Sequence, residues 1–204
     1  AFGGMGKSSL SWTWLQNEVI EKDTKLSGII WWSFYQQGFE DFLANLVEYC
    51  IPNFKRKYKK GSDVLSIITN FLSNNNFLIV MDGFETQLRG YSGMMSVYED
   101  GSHLFKQDTH KDVHKRECVN PKTEKFLKNI SSGKSKVLIT SRLLPEPLEQ
   151  LQGVKHIKLT GLSPTDTLEF FRSQGIKGNA DEILKAAKVY RSHPLMLSHL
   201  AVAI

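Results

Sequence analysis

Short apolar runs alternating with amphipathic helical segments predict an α/β protein built on a parallel sheet, followed by a small all-helical unit. Two observations carry that expectation. Phe77-Leu78-Ile79-Val80-Met81-Asp82 is an uninterrupted apolar run closed by an acid, as a central strand buried on both faces requires. Past Gly161, the segments 164–174, 179–190 and 194–204 carry helical spacing with no strand between them.

Taken in order, Leu10, Trp14, Val19 and Ile20 fall near helical spacing and predict a helix over 7–22, with Asp23 past its end. Gly28-Ile29-Ile30-Trp31-Trp32-Ser33-Phe34-Tyr35 is apolar and aromatic and predicts a buried strand. Phe39, Phe42, Leu43, Leu46 and Val47 return to helical spacing over 39–50, which Pro52 ends. A further helix over 63–73 presents Val64, Leu65, Ile68, Phe71 and Leu72, and Asn74-Asn75-Asn76 separates it from the acid-ended strand. After a polar stretch, 86–122, come a helix near 123–131, a strand Lys136–Ser141 and another around Val154–Leu159. Trp12, Trp14, Trp31 and Trp32 are assigned to core packing, since they fall on a helix and a buried strand.

The 204 residues are 41% hydrophobic and 23% charged, enough apolar material for a real core and unlike a disordered chain. No apolar run approaches the length of a membrane span, and no signal-peptide pattern opens the sequence. Two cysteines, Cys50 and Cys118, make no disulfide framework, which points to the cytoplasm. A net charge of +5 favours anionic ligands but is too mild to specify nucleic acid. Much of it comes from Lys55-Arg56-Lys57-Tyr58-Lys59-Lys60, read first as a solvated face.

The most informative stretch is Gly3-Gly4-Met5-Gly6-Lys7-Ser8-Ser9. Gripping a polyphosphate takes closely spaced backbone N–H groups, and glycine admits that approach. Lys7 would set an ammonium on the β- and γ-phosphates, Ser8 would ligate Mg2+, and Ser9 would bond the α-phosphate. The helix beginning here aims its positive dipole end at the same anions. This is the G-x-x-x-x-G-K-[ST] phosphate loop with its first glycine replaced by Ala1. Such a loop joins a strand to a helix, so the missing preceding strand predicts a fragment of a longer chain.

Asp82, at the end of its strand, is placed to reach the Mg2+ through water. Glu85 either orients the attacking water or caps the following helix. Thr140-Ser141-Arg142 ends the strand over 136–141, and ligands of open α/β sheets sit outside the carboxyl ends of strands. Thr140, Ser141 and Arg142 would therefore face the same site as Lys7 and Asp82, with Arg142 sensing the γ-phosphate or forming a surface ion pair. His110, His114 and Cys118 would share one face if 110–118 were helical, a zinc arrangement weaker than the alternative of a Lys-rich loop with scattered histidines, His103 among them.

These motifs in this order resemble the NB-ARC-type ATPases of the STAND class of P-loop NTPases. The resemblance rests on Gly3–Ser9, Phe77–Asp82, Thr140-Ser141-Arg142, Gly161-Leu162-Ser163-Pro164 with Phe170-Phe171, and His193-Pro194-Leu195. The last looks like the family's Gly-x-Pro segment, which implies that Pro194 lies against adenine; Ser192 replaces the glycine. Asp82-Gly83-Phe84-Glu85 and Leu88-Arg89-Gly90-Tyr91 look closer to the bacterial branch.

The resemblance implies a P-loop NTPase parallel sheet of order 5-1-4-3-2, its first strand absent from this fragment. A nucleotide-binding domain over 1–160, with an insertion at 86–122, would precede a helical subdomain over 161–204. It implies an ATP/ADP switch with slow hydrolysis, flanking effector and sensor-repeat domains in the same chain, and homo-oligomerisation on activation. A DNA-associated P-loop ATPase of the replication or repair loader type is the alternative, although nucleic acid and membrane are not expected partners. A metabolic phosphotransferase and a non-hydrolysing scaffold rank below it.

Overall fold

The computed structural model describes residues 3–22, 25–54, 61–91 and 114–203. The chain divides into two compact units, Leu15–His156 and the pairing of Ala1–Trp14 with Ile157–Ile204.

The larger unit is built on three parallel strands, β1 (Gly28–Ser33), β2 (Phe77–Asp82) and β3 (Lys136–Ile139), in the order β1-β2-β3. Gly28 to Ser33 pair with Phe77 to Asp82, and Leu78 to Met81 with Lys136 to Ile139. The period-two alternation of a strand sorts its apolar residues onto two faces. Ile30, Trp32, Phe77, Ile79, Met81, Val137 and Ile139 join a large cluster with α2 (Phe39–Cys50), α3 (Val64–Asn74) and α4 (Pro121–Ile130). Ile29, Trp31, Leu78, Val80 and Leu138 turn the other way, against Leu15 and Val19. All six residues of β2 are buried, as their uninterrupted apolar character requires, whereas β1 is half-buried throughout.

Polar side chains fix where elements begin. Asp63 accepts from the Ser66 N–H at 3.2 Å and caps α3, and Asn120 accepts from the Lys122 N–H at 2.9 Å ahead of Pro121. Ser135, 4% exposed, accepts from the Phe77 N–H at 3.2 Å and lies 2.7 Å from the Leu72 carbonyl, tying the end of α3 to the start of β2. The expected insertion is anchored at both ends. Arg89 N–H donates to the Glu117 carbonyl at 3.0 Å and Val119 N–H to that of Gln87 at 2.9 Å, with Leu88 and Cys118 buried. The polar composition of 86–122 hid these two core contacts.

Several expectations are corrected. The predicted helix 7–22 is α1 (Lys7–Trp14) followed by a π-helical segment, Leu15–Ile20. The wider i→i+5 turn changes the phase of the side chains. Leu15 and Val19 are thereby buried, while Leu10, Trp14 and Ile20 are 56%, 39% and 52% exposed. Trp12 is exposed with them, so core packing holds only for the half-buried Trp31 and Trp32. Val154–Leu159 forms no strand: a strand needs a paired neighbour, and among the described residues none runs beside this segment.

The smaller unit holds α1 and the helices α5 (Pro164–Ser173), α6 (Ala180–Val189) and α7 (Pro194–Ala203). Its core is Phe171, Ile183, Ala187 and Leu197, with Leu162, Leu168 and Phe170 packed around them. Ser163 and Asp166 cap α5 reciprocally: the Asp166 N–H donates to Ser163 Oγ at 3.1 Å, and that hydroxyl donates to the Asp166 carboxylate at 2.7 Å. Among the described residues no helix is long and apolar enough to cross a membrane.

Both cysteines are free and buried. Burial pushes the Cys50 thiol from 9.0 up to about 11. Burial, with the charges of Glu124 and Glu146, pushes Cys118 up to about 12. The folded protein holds both protons more tightly than the unfolded chain, so this stability is complete below pH 9 and is lost as pH rises through 11 to 12. Urea-unfolding free energy should fall by about 1.4 kcal/mol per pH unit for each thiol across that window. Cys118→Ala should show a shallower slope; an unchanged slope would contradict the assignment.

Candidate functional site

In the smaller unit the phosphate-loop sequence forms a tight turn opening α1. Gly4 and Gly6 adopt φ of 74° and 77°, left-handed values that favour glycine, and the Leu10 N–H donates to the Gly6 carbonyl at 2.8 Å. A Cβ on Gly6 would have no heavy atom within 4 Å, so the space beside the loop is open to a ligand. The first turn of α1 carries no acid, leaving its positive dipole end uncompensated by a carboxylate of its own. This backbone fits a polyphosphate. Ser8 and Ser9 are exposed and Lys7 is partly exposed.

His193 and Leu195 are brought to the same loop. A Cβ on Gly4 would meet Leu195 Cβ and Cδ2 at 2.7 Å and His193 Cε1 at 3.2 Å, so only glycine allows that approach. Pro194 between them opens α7. The turn before it is held by the Leu162 N–H donating to the Ser192 carbonyl at 2.9 Å. Gly161 lies so close that a Cβ would sit 2.1 Å from the Arg191 carbonyl oxygen, which gives the Gly161-Leu162-Ser163-Pro164 segment a physical role.

In the larger unit the carboxyl ends of the three strands gather a second set of residues. Asp82, 6% exposed, accepts from the Thr140 hydroxyl at 2.5 Å, and the same hydroxyl oxygen accepts from the Gly83 N–H at 3.0 Å. The Phe84 N–H donates to the Thr140 carbonyl at 2.9 Å, continuing the β2–β3 pairing past the strands. Gly83 has φ 71°, and a Cβ there would strike the Tyr35 ring at 2.4 Å. Its left-handed turn starts the short 3₁₀ helix Phe84–Gln87 and aims Glu85 inward.

Glu85 is 1% exposed, and both its oxygens have protein partners. Oε1 accepts from the Tyr35 hydroxyl at 2.8 Å and lies 3.1 Å from Arg142 Nε, while Oε2 accepts from the Arg142 N–H at 3.3 Å. Arg142 also stacks 5.7 Å from the centroid of Tyr91. Burial raises the Tyr35 phenol well above 10.0; the hydrogen bond to Glu85 and the charges of Glu85 and Asp82 add to this, against Arg142. Glu85 sits inside the 3₁₀ turn and does not cap it, and its oxygens hold protein groups. The ion pair of Arg142 is with a buried carboxylate, not a surface one.

Asp82, Glu85, Thr140 and Arg142 are thus brought together within the larger unit. Tyr35 and Tyr91 were missed. Tyr35 had a signal, a polar-tipped aromatic just past a strand's carboxyl end; Tyr91 had none beyond its place in the Leu88–Tyr91 pattern. Lys55–Lys60, His103 and His110 lie outside the described residues. His114 sits in the 3₁₀ turn His114–Arg116 with Nδ1 2.8 Å from Glu117, and Cys118 is in the bridge to Leu88, so the two share no helical face. Among the described residues no group of His, Cys, Asp or Glu is arranged to hold a metal without added ligands.

No protein-family model matches the chain, and no curated protein sequence matches it. Among solved structures, it superposes on the crystal structure of a Signal Transduction ATPase with Numerous Domains (STAND) protein with a tetratricopeptide repeat sensor from Pyrococcus horikoshii. The TM-score is 0.55 at 19% identity, over 95% of this chain and 25% of that one. The fold of this chain is similar to that part of the STAND protein. At this identity the likeness is one of fold, and the chain spans about a quarter of the length of that STAND protein.

Proposed function

We propose that this chain is the ATP/ADP-binding switch module of a STAND ATPase of the NB-ARC type, bacterial branch. The observation that carries the reading is the Gly3–Ser9 turn, with Gly4 and Gly6 at positive φ and open space at the head of α1. The STAND fold supports it independently. In this reading main-chain amides of the loop and Lys7 hold the β- and γ-phosphates, Ser9 the α-phosphate, and Ser8 and Asp82 the Mg2+. Pro194 lies against the base. Thr140 fixes the Asp82 carboxylate, and Arg142 answers the γ-phosphate. Bound Mg2+ supplies charge neutralisation on the phosphates.

Exchange of ADP for ATP then changes the relation of helical unit to sheet and permits homo-oligomerisation, with effector and sensor-repeat domains of the same chain as partners. Hydrolysis resets the switch and is slow. Moving such an equilibrium from 1:99 to 99:1 takes about 5.5 kcal/mol of differential affinity, more than one γ-phosphate contact supplies, so assembly contacts must contribute.

The test is titration of fluorescent ATP and ADP against the intact protein and its Lys7→Ala variant. A charge-assisted phosphate contact is worth about 1.5–3 kcal/mol, so Lys7→Ala should weaken binding about 10- to 150-fold. Equal binding by both proteins refutes the reading. A steeply salt-dependent affinity for duplex DNA would favour the DNA-associated alternative.

A further inference from the structure

The ion pair between Glu85 and Arg142 joins partners of unequal freedom. Glu85 is buried at 1% exposure, whereas the Arg142 side chain is 39% exposed and reaches solvent. The carboxylate also has contacts that do not involve the guanidinium. Oε1 accepts from the Tyr35 hydroxyl at 2.8 Å, and Oε2 accepts from the Arg142 main-chain N–H at 3.3 Å. Both donors are held in place. The Thr140 N–H donates to the Met81 carbonyl at 3.0 Å and the Phe84 N–H to the Thr140 carbonyl at 2.9 Å, which fixes the chain entering Arg142 beside the turn that carries Glu85. The Tyr35 ring lies against Gly83, where a Cβ would strike it at 2.4 Å. A buried charge left with no partner is strongly destabilised. Glu85 keeps both of these donors if the guanidinium departs, and the guanidinium departs into water. The pair therefore opens by moving one side chain while the carboxylate stays in place.

We propose that Glu85 is a specificity-determining residue: it holds Arg142 back from a γ-phosphate and so biases the nucleotide site towards diphosphate. The inference rests on the nucleotide-binding reading and deepens it. A third phosphate has to take the guanidinium from a carboxylate already bound to it, whereas ADP asks nothing of that pair. Triphosphate binding is weakened by the strength of the contact and diphosphate binding is not, which is a difference of affinities created by a competitor inside the protein. Tyr35 makes the exchange reversible, because its hydroxyl stays on Glu85 whether or not Arg142 is there.

The experiment is equilibrium binding of ADP and of a non-hydrolysable ATP analogue, each with Mg2+, to the intact protein. The proteins compared are wild type, Glu85→Gln, Arg142→Gln, the double variant and Lys7→Ala. In Glu85→Gln the amide carries no charge with which to keep the guanidinium, so affinity for the ATP analogue should rise about tenfold while that for ADP stays within about twofold. In the Arg142→Gln background the same change should leave both affinities within about twofold, since the gain runs through Arg142. No gain, a gain equal for the two nucleotides, or a gain that persists without Arg142 overturns the proposal. An unaltered ratio in Glu85→Gln beside a loss of binding in Lys7→Ala overturns the role of Glu85 and leaves the loop assignment standing. Unchanged binding in Lys7→Ala overturns the nucleotide reading itself. If Glu85→Gln does not fold, the Arg142 side-chain 15Nε signal of the wild type decides the matter. It should shift further with the ATP analogue than with ADP, and equal signals with the two nucleotides overturn the proposal.

Discussion

Thr140→Val should destabilise the larger unit by about 2–4 kcal/mol while changing almost no volume. The methyl group that replaces the hydroxyl removes the 2.5 Å donor to Asp82 and the 3.0 Å acceptor of the Gly83 N–H at once. Both bonds are buried, with Thr140 and Asp82 at 7% and 6% exposure, so water cannot readily take either place. A hydrogen bond to a charged group is worth about 1.5–3 kcal/mol, and an orphaned buried N–H costs about 1–3 kcal/mol. The melting temperature should drop by roughly 5–15 °C for a chain of this size. Thr140→Ser, which keeps the hydroxyl and loses one methyl, should recover most of that drop. Equal melting of wild type and Thr140→Val would show that Asp82 does not depend on this hydroxyl. If Asp82 holds the Mg2+ of a bound nucleotide, Thr140→Val should also weaken magnesium-dependent ADP binding about tenfold, which Thr140→Ser should not.

That arrangement was half visible in the sequence, and the visible half shows what kind of information the chain order carries. Phe77–Asp82 announces itself because a strand buried on both faces must be apolar at every position, and the helices announce themselves through the spacing of Phe42, Leu46 and Leu65, Ile68, Leu72. The positions of Asp82 and Thr140 at adjoining strand ends followed from parallel topology alone. Their bond did not, because it depends on a register between β2 and β3 that no local pattern encodes. The π-helical turn at Leu15–Ile20 was illegible for the opposite reason: it is a local change of phase imposed by what Leu15 and Val19 pack against. Val154–Leu159 misled because apolar character suits an extended segment with or without a ladder partner. Leu88 and Cys118, 30 positions apart, became core residues only through pairing across a polar stretch.

Glu85 is where the remaining large effect is expected. Glu85→Ala should cost about 2–3 kcal/mol of stability. Removing one partner of a fully buried ion pair costs about 3–5 kcal/mol, but Arg142 is 39% exposed at its side chain and can recover water, which lowers the figure. Glu85→Gln should cost about 1–2 kcal/mol, since an amide oxygen can still accept from Tyr35 but carries no charge for Arg142. The two variants also separate a structural from a catalytic use of this carboxylate. Oε1 holds Tyr35 and Arg142 while Oε2 accepts one bond, from the Arg142 N–H, so action on water competes with these contacts. Tyr35→Phe removes one of those holds and keeps the ring against Gly83. If Glu85 orients water in hydrolysis, Tyr35→Phe should raise turnover severalfold while Glu85→Gln abolishes it; if Glu85 only anchors Arg142, both should leave turnover within about twofold of wild type. The phenol supplies a readout independent of turnover. Its proton is held above the ordinary range first by burial and then by Glu85, so Glu85→Gln should bring the Tyr35 titration back toward 10. Absorbance titration, with Tyr35→Phe as the subtraction, measures that shift directly, and an unmoved phenol would mean that the carboxylate does not set it.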